Sequence, residues 1–163
     1  MKEIPLTQGK VALVDDEDYG WLNQWKWCAY KGGNSSYAVR GIKKNGKRTL
    51  SKMHREILGT PKGMLTDHRN SNGLDNRRDN LRICNKFQNG MNRGKNDNNK
   101  SGYKGVCWHK ASKKWRASIH INGKQIHLGL FNANKEAAII YNEAAIKHFG
   151  EFGRLNDIKG DSQ

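Results

Sequence analysis

The sequence predicts an α+β protein assembled from small antiparallel sheets with helices laid on them. Three observations predict it. Only 35% of the 163 residues are apolar, against roughly 45–50% in an average globular domain counted with glycine, so one large core is disfavoured. Apolar and polar residues alternate on both sides of Asn122-Gly123, the pattern of a half-buried hairpin. A strand, a long loop, a returning strand and a helix follow one another between residues 65 and 89.

At roughly 100–200 residues per domain, this length is one ordinary domain or a few very small ones. The sequence divides into a basic β-rich N-terminal region (1–52), a central unit (53–91), a basic linker (92–101) and a C-terminal domain of three antiparallel strands on one helix (102–157). The first region opens with a strand, Lys10 to Asp15, and the acidic run Asp15 to Asp18. A helix from Tyr19 to Lys26 follows, whose positive N-terminal end suits those acids. Trp21, Leu22 and Trp25 are expected to share its core face. Next comes a hairpin, Tyr37 to Lys44 against Lys47 to Met53, turned by Asn45-Gly46. Its register sets Lys44 opposite Lys47 and Lys43 opposite Arg48. Facing like charges destabilise a hairpin, an arrangement that makes sense if phosphates neutralise them.

In the central unit a strand ends in Asp67-His68, a second strand carries Leu81 to Cys84, and Asn85 caps a helix that holds Asn89 one turn in. Cys84 is expected in the core. The linker NRGKNDNNKS has no apolar periodicity and is expected to be extended, with Arg93, Lys95 and Lys100 able to follow a nucleic-acid groove. Beyond it Trp115, Ala117, Ile119 and Ile121 line one face of a strand. The expected register pairs Ile121 with Lys124, Ile119 with Ile126, Ala117 with Leu128 and Trp115 with Leu130. The outer face then carries Arg116, Ser118, His120 and His127 and is left open for a partner. Tyr103 to His109 supplies a third strand. Ala137, Tyr141, Ala144, Ala145 and His148 recur at helical spacing, and Gly150 follows as a stop.

Charge names the class of partner. Thirty Lys and Arg stand against fifteen Asp and Glu, a net +15. Between Arg82 and His127 eleven basic residues face one acid, Asp97, so ten of those charges sit in 46 residues, interleaved with Tyr103, Trp108 and Trp115. Such concentration is the footprint of phosphate-backbone binding. No apolar run approaches the ~18 residues of a membrane span, and MKEIPLTQGK lacks the apolar stretch of a secretory signal. Cys28, Cys84 and Cys107 are odd in number and far apart, which argues against a disulfide framework and a zinc knuckle. The expectation is a cytoplasmic protein that meets a polyanion and no membrane.

Asp67-His68, Asn80 twelve residues after the histidine and Asn89 nine further on, with the run DNLR, resemble the HNH endonucleases in the variant whose third position is asparagine. Met53-His54-Arg55 upstream is similar to the pattern of phage homing enzymes. The resemblance implies a ββα-metal nuclease unit over 53–91. In it His68 takes a proton from water, Asp67 and Asn89 hold the metal, and Asn80, grouped with His68 at the catalytic site, ties the loop so that His68 is held in place. One carboxylate and one amide oxygen suit Mg²⁺, with Mn²⁺ as a substitute and no zinc.

Residues 101–157 resemble the plant ethylene-response-factor (APETALA-two) DNA-binding domain, through Tyr103-Lys104-Gly105-Val106, Lys114-Trp115, Leu128-Gly129, Phe131, Glu136-Ala137-Ala138, Ala144-Ala145 and Leu155-Asn156. That resemblance places Lys104, Trp108, Lys110, Lys114, Arg116, Ser118 and His127 on a sheet face that touches DNA. Cys107 and Ser118 depart from the residues common there, so the plant base preference does not carry over. Together the two resemblances imply a site-specific homing endonuclease that nicks or cuts double-stranded DNA with a divalent metal, acting as a monomer. The alternative is a DNA-binding regulator with an inactive HNH unit.

Overall fold

Alternating apolar residues at the N-terminus build the first ladder. In the computed structural model, which describes residues 1–33 and 35–158, β1 (Lys2–Pro5) pairs antiparallel with β2 (Val11–Val14). Ile4, Ala12 and Val14 point inward. The α+β class holds, with four small antiparallel sheets and four α-helices among the described residues. They form two compact units, divided between Gly90 and Met91.

In the first unit α1 (Asp16–Leu22) is shorter than the expected Tyr19 to Lys26. Because it ends at Leu22, Trp25 falls in the following turn and is 46% exposed, and Trp21 is exposed as well. The core tryptophan is Trp27, whose indole N–H donates to the Leu22 carbonyl at 2.9 Å. Trp25 instead stacks under Arg40, 4.3 Å from the ring centre, while Arg40 is paired with Glu56.

Strand β3 (Cys28–Gly32), which the sequence reading lacked, extends the hairpin of β4 (Ser35–Lys44) and β5 (Lys47–Lys52). The expected tip register is present: Lys44 faces Lys47 and Lys43 faces Arg48. Helix α2 (Met53–Ile57) leads to β6 (Leu65–His68), which pairs with β7 (Leu81–Cys84) and sets Asp67 opposite Arg82 and His68 opposite Leu81. Residues 1–52 and 53–91, set apart above, share one core here: Ile4, Val14, Leu22 and Trp27 pack with Met53, Ile57 and Leu81. Helix α3 (Lys86–Met91) closes the strand–loop–strand–helix run. Asn85 and Gln88 exchange side-chain-to-backbone bonds of 2.8 and 2.9 Å at its start, a reciprocal cap.

In the second unit β8 (Val106–His109), β9 (Lys114–Ile121) and β10 (Lys124–Phe131) form the three-stranded sheet, backed by α4 (Asn134–Phe149). Ala137, Ala138 and Ala145 let the helix lie close on Val106, Ala117 and Ile119. The expected β9–β10 register is correct from Ile121–Lys124 to Ser118–His127 and then slips. Leu128 is an extra residue, and Gly129 faces Ala117, Leu130 faces Arg116 and Phe131 faces Trp115. Gly129 makes the bulge possible at φ +145°, a backbone few side chains tolerate. The slip turns Leu130 to the outer face and Phe131 inward.

The end of the segment read as an extended linker is built into this unit. Asn99 donates to the carbonyls of Tyr103 and Val106, and its own carbonyl oxygen accepts from Ser101 and Gly102. Asn156 of the Leu155-Asn156 motif bonds both backbone groups of Lys104, and the Asn142 side chain holds the Asn156 backbone in turn. Among the described residues no helix is long and apolar enough to cross a membrane.

Candidate active site

The end of β6 delivers Asp67 and His68 into the interior, with His68 only 5% exposed. The loop from Arg69 to Asn80 closes over them, and its hydrogen bonds show how. Asn80 accepts from the Asn70 N–H at 3.0 Å and donates to the Asp75 carbonyl at 2.7 Å, pinning the two ends of the loop together. Asn70 also donates to Asp75, which in turn holds Arg77 at 2.7 and 2.6 Å.

The acidic run near the N-terminus works on the same loop. Asp15 accepts from the Arg78 N–H, and Asp18 takes the Arg78 guanidinium in two bonds of 2.8 and 2.7 Å. Strand β2 adds backbone bonds: the Leu13 N–H donates to Leu74, and the Leu13 carbonyl accepts from the Asn76 N–H, both at 2.8 Å. Asn76 is fully buried, and its Oδ1 lies 3.4 Å from His68 Nε2. Sequence reasoning missed Asn76; an asparagine eight residues after the histidine carries no signal in a chain this rich in asparagine.

Three rings meet at the same place. His54, on α2, lies edge-on to His68 with centroids 4.9 Å apart, and Tyr37 lies 5.5 Å from His54 and 5.9 Å from His68. His54 Nδ1 is buried without a hydrogen-bond partner among the described residues. Burial, then the neighbouring His68, Lys52 and Arg55, hold His54 down at about 3, so it stays neutral. Burial also lowers His68, opposed by the bond to Asn76 and by the charges of Asp67 and Asp75. A buried neutral imidazole is the form able to accept a proton.

Asp67 does not stand open to solvent. Arg82 sends Nε and Nη2 to its Oδ2 at 2.9 and 2.6 Å, and both side chains are under a tenth exposed. Arg82, counted above with the phosphate-facing charges, is committed to this ion pair. Asn89 sits on α3 just beyond β7, half-buried, its N–H bonded to the Asn85 carbonyl. Cys84 is fully buried as expected, and burial raises its thiol. Among the described residues no three of His, Cys, Asp or Glu are gathered to hold a metal ion.

The positive residues separate into several settings. Lys43, Lys44, Lys47 and Arg48 are exposed at the tip of the β4–β5 hairpin, and Arg93, Lys95, Lys100, Lys110 and Lys114 are exposed too. Trp108 is exposed on the C-terminal sheet, edge-on to Trp115 at 5.1 Å. Arg116, Ser118 and His127 line a pocket of about 270 Å³ with His109, Gln125 and Leu130. Arg116 Nε is buried there without a hydrogen-bond partner among the described residues, whereas Ser118 is buried and accepts from Gln125. Lys104 departs from expectation. Its ammonium turns in to the Met91 carbonyl at 2.6 Å, and burial, with Arg154 and Arg93 nearby, lowers it to about 8. It is a tie within the second unit.

The chain belongs to one family with Protein 3.8 of Escherichia phage T7, to which it is 34% identical over 95 residues, 58% of this chain and 78% of that protein. It is 28% identical over 155 residues to an uncharacterized HNH endonuclease of Acanthamoeba polyphaga mimivirus, across 93% of this chain and 77% of that one. Over 61 residues, 37% of the chain, it is 36% identical to the AP2-like ethylene-responsive transcription factor TOE2 of Arabidopsis thaliana, of which the match spans 13%. No protein-family model and no solved structure matches it.

Proposed function

We propose that the protein is a metal-dependent DNA endonuclease that hydrolyses a phosphodiester bond at a preferred site, in the manner of a phage homing enzyme, on double-stranded DNA and as a monomer in the host cytoplasm. The observation that carries this reading is the placement of His68. A buried, neutral imidazole stands at a strand end beside a carboxylate, inside a loop locked by Asn80. The likeness to a viral protein named as an HNH endonuclease supports it.

In this reading His68 takes a proton from the attacking water. Asp67 and Asn89 are hard oxygen donors that would suit Mg²⁺ or Mn²⁺, cations that need only one or two protein ligands. The bound cation would stabilise negative charge on the phosphate and the leaving oxygen. Arg82 holds the Asp67 carboxylate oriented for that duty. The C-terminal sheet presents Arg116, His127 and Trp108 to DNA. The buried Arg116 Nε, without a hydrogen-bond partner among the described residues, is a donor for a phosphate or base-edge acceptor. The likeness to an AP2-like transcription factor supports the same role.

One observation favours a second reading, a DNA-binding regulator with an inactive nuclease unit: the Asp67 carboxylate is already engaged by Arg82. Incubating supercoiled plasmid with Mg²⁺, with EDTA, and with a His68→Ala variant separates the two. Cutting that needs both the metal and His68 supports the nuclease, and DNA binding with no cutting in Mg²⁺ or Mn²⁺ supports the regulator.

A further inference from the structure

The N-terminal strand reaches the candidate base through one side chain. The Asn76 amide has two ends, and their partners decide which way it points. Its Nδ2 donates to the Leu74 carbonyl at 3.2 Å, and its backbone N–H is committed to the Leu13 carbonyl at 2.8 Å. Turning the amide over would set Oδ1 against the Leu74 oxygen, two acceptors facing each other in a fully buried place. Oδ1 therefore faces His68 Nε2. An amide oxygen only accepts, so Nε2 must carry the hydrogen, and in a neutral imidazole Nδ1 then carries the lone pair. The rings of His54 and Tyr37, packed against His68, oppose a flip that would exchange the ring's edges.

We infer that Asn76, clamped by Leu13 of β2, holds His68 in its Nε2–H tautomer, so that Nδ1 is the atom that takes up the proton. Asn76 is thus a positioning residue, and a strand from outside the motif sets the chemistry within it. The second half of the inference rests on the nuclease reading; the first half does not. In the step itself a water O–H bond breaks and a hydrogen–Nδ1 bond forms; the water oxygen's electron pair makes a new P–O bond while the P–O bond to the leaving sugar oxygen breaks, and that oxygen keeps the electron pair and takes a proton from solvent. The ring becomes an imidazolium whose Nε2–H bond to Asn76 is then charge-assisted and stronger.

The test reads the tautomer directly. The full-length protein with ¹⁵N-labelled histidine is examined by long-range proton–nitrogen correlation at about pH 8, above the ordinary histidine range. Protonated and lone-pair ring nitrogens resonate apart, and His68→Gln assigns the signal among the six histidines. Wild-type protein is expected in the Nε2–H form. Asn76→Asp, which keeps an acceptor, is expected to retain it, and Asn76→Leu to shift it toward a mixture. An Nδ1–H form in the wild type overturns the inference whether or not the variants fold, and so does an unchanged tautomer in folded Asn76→Leu. In plasmid cutting, Asn76→Leu should lose about ten- to a hundred-fold in kcat with KM little changed, while Asn76→Asp loses less. A wild-type protein that never cuts would remove the nuclease reading and leave the tautomer result standing.

Discussion

Replacing Arg82 by methionine takes a guanidinium away from a carboxylate that has little water to turn to. The Arg82 and Asp67 side chains are 7% and 8% exposed, and the nitrogens approach one oxygen at 2.9 and 2.6 Å. At an effective dielectric of about 20 and about 4 Å between charge centres, their attraction is about 4 kcal/mol. Removing one partner of such a buried pair typically costs about 3–5 kcal/mol, because the remaining charge keeps its desolvation. Methionine preserves most of the stem's packing, so the loss is mainly electrostatic. For a unit of this size each kcal/mol moves the midpoint by about 4–8 °C, so Arg82→Met should lower the melting of the N-terminal unit by about 12 °C or more. Differential scanning calorimetry measures it. Asp67→Asn with Arg82→Met should recover much of the loss, since no unpaired charge is then buried. A single variant melting within about 3 °C of wild type, or a double variant no better than the single, would refute the electrostatic account. If Asp67 also holds a divalent cation, Mg²⁺ should raise the midpoint of Arg82→Met more than that of wild type. Equal shifts would dissociate the ion pair from metal binding.

His54 predicts an acid limb. Its folded value of about 3 lies below the ordinary 6.5, so the unfolded chain binds a proton that the folded chain refuses. The stability it contributes is full above 6.5 and falls as pH drops toward 3, by up to about 1.4 kcal/mol per pH unit. His54→Phe should flatten urea-unfolding stability measured between about pH 7 and pH 4, with His68 retaining part of the slope; an unaltered slope would put the acid sensitivity elsewhere. His68→Ala should abolish plasmid cutting and leave DNA affinity within a few-fold, and residual cutting near the wild-type rate would end its role as base. Arg116→Ala should weaken the preferred duplex more than scrambled DNA if it reads a base edge; equal weakening, with a salt slope shallower by about 0.9, would mean it meets one phosphate. Gly105→Ala should cost the C-terminal unit several kcal/mol: at φ +77° its new Cβ would overlap the Tyr141 ring and lie 2.8 Å from the Ser118 carbonyl. A calorimetric midpoint close to wild type would show that the helix can back away from the sheet.

Local pattern was enough for much of this chain. The α+β class, the lysine-facing tip of the β4–β5 hairpin, the Asn85 cap and the first four pairs of the β9–β10 ladder depend on neighbours in sequence, on period-two alternation and on turn chemistry. They were legible without coordinates. What only the tertiary structure decided depends on contacts whose partners lie far apart along the chain. Trp27 replaces Trp25 in the core because α1 stops early and the Trp27 indole bonds back to the Leu22 carbonyl, in one buried cluster with Ile4, Leu22 and Met53. Leu130 changes face because one extra residue reverses every side chain beyond a bulge, and periodicity cannot register that insertion in advance. Lys104 and Arg82 look like surface charge in a basic stretch, yet Met91 and Asp67 draw them inward. The sequence placed Asp67, His68 and Asn80 close together. Only the fold showed that Leu13, more than fifty residues earlier, clamps the asparagine that faces His68. A hydrogen bond between distant strands leaves no periodicity in the chain, since any backbone carbonyl can accept it.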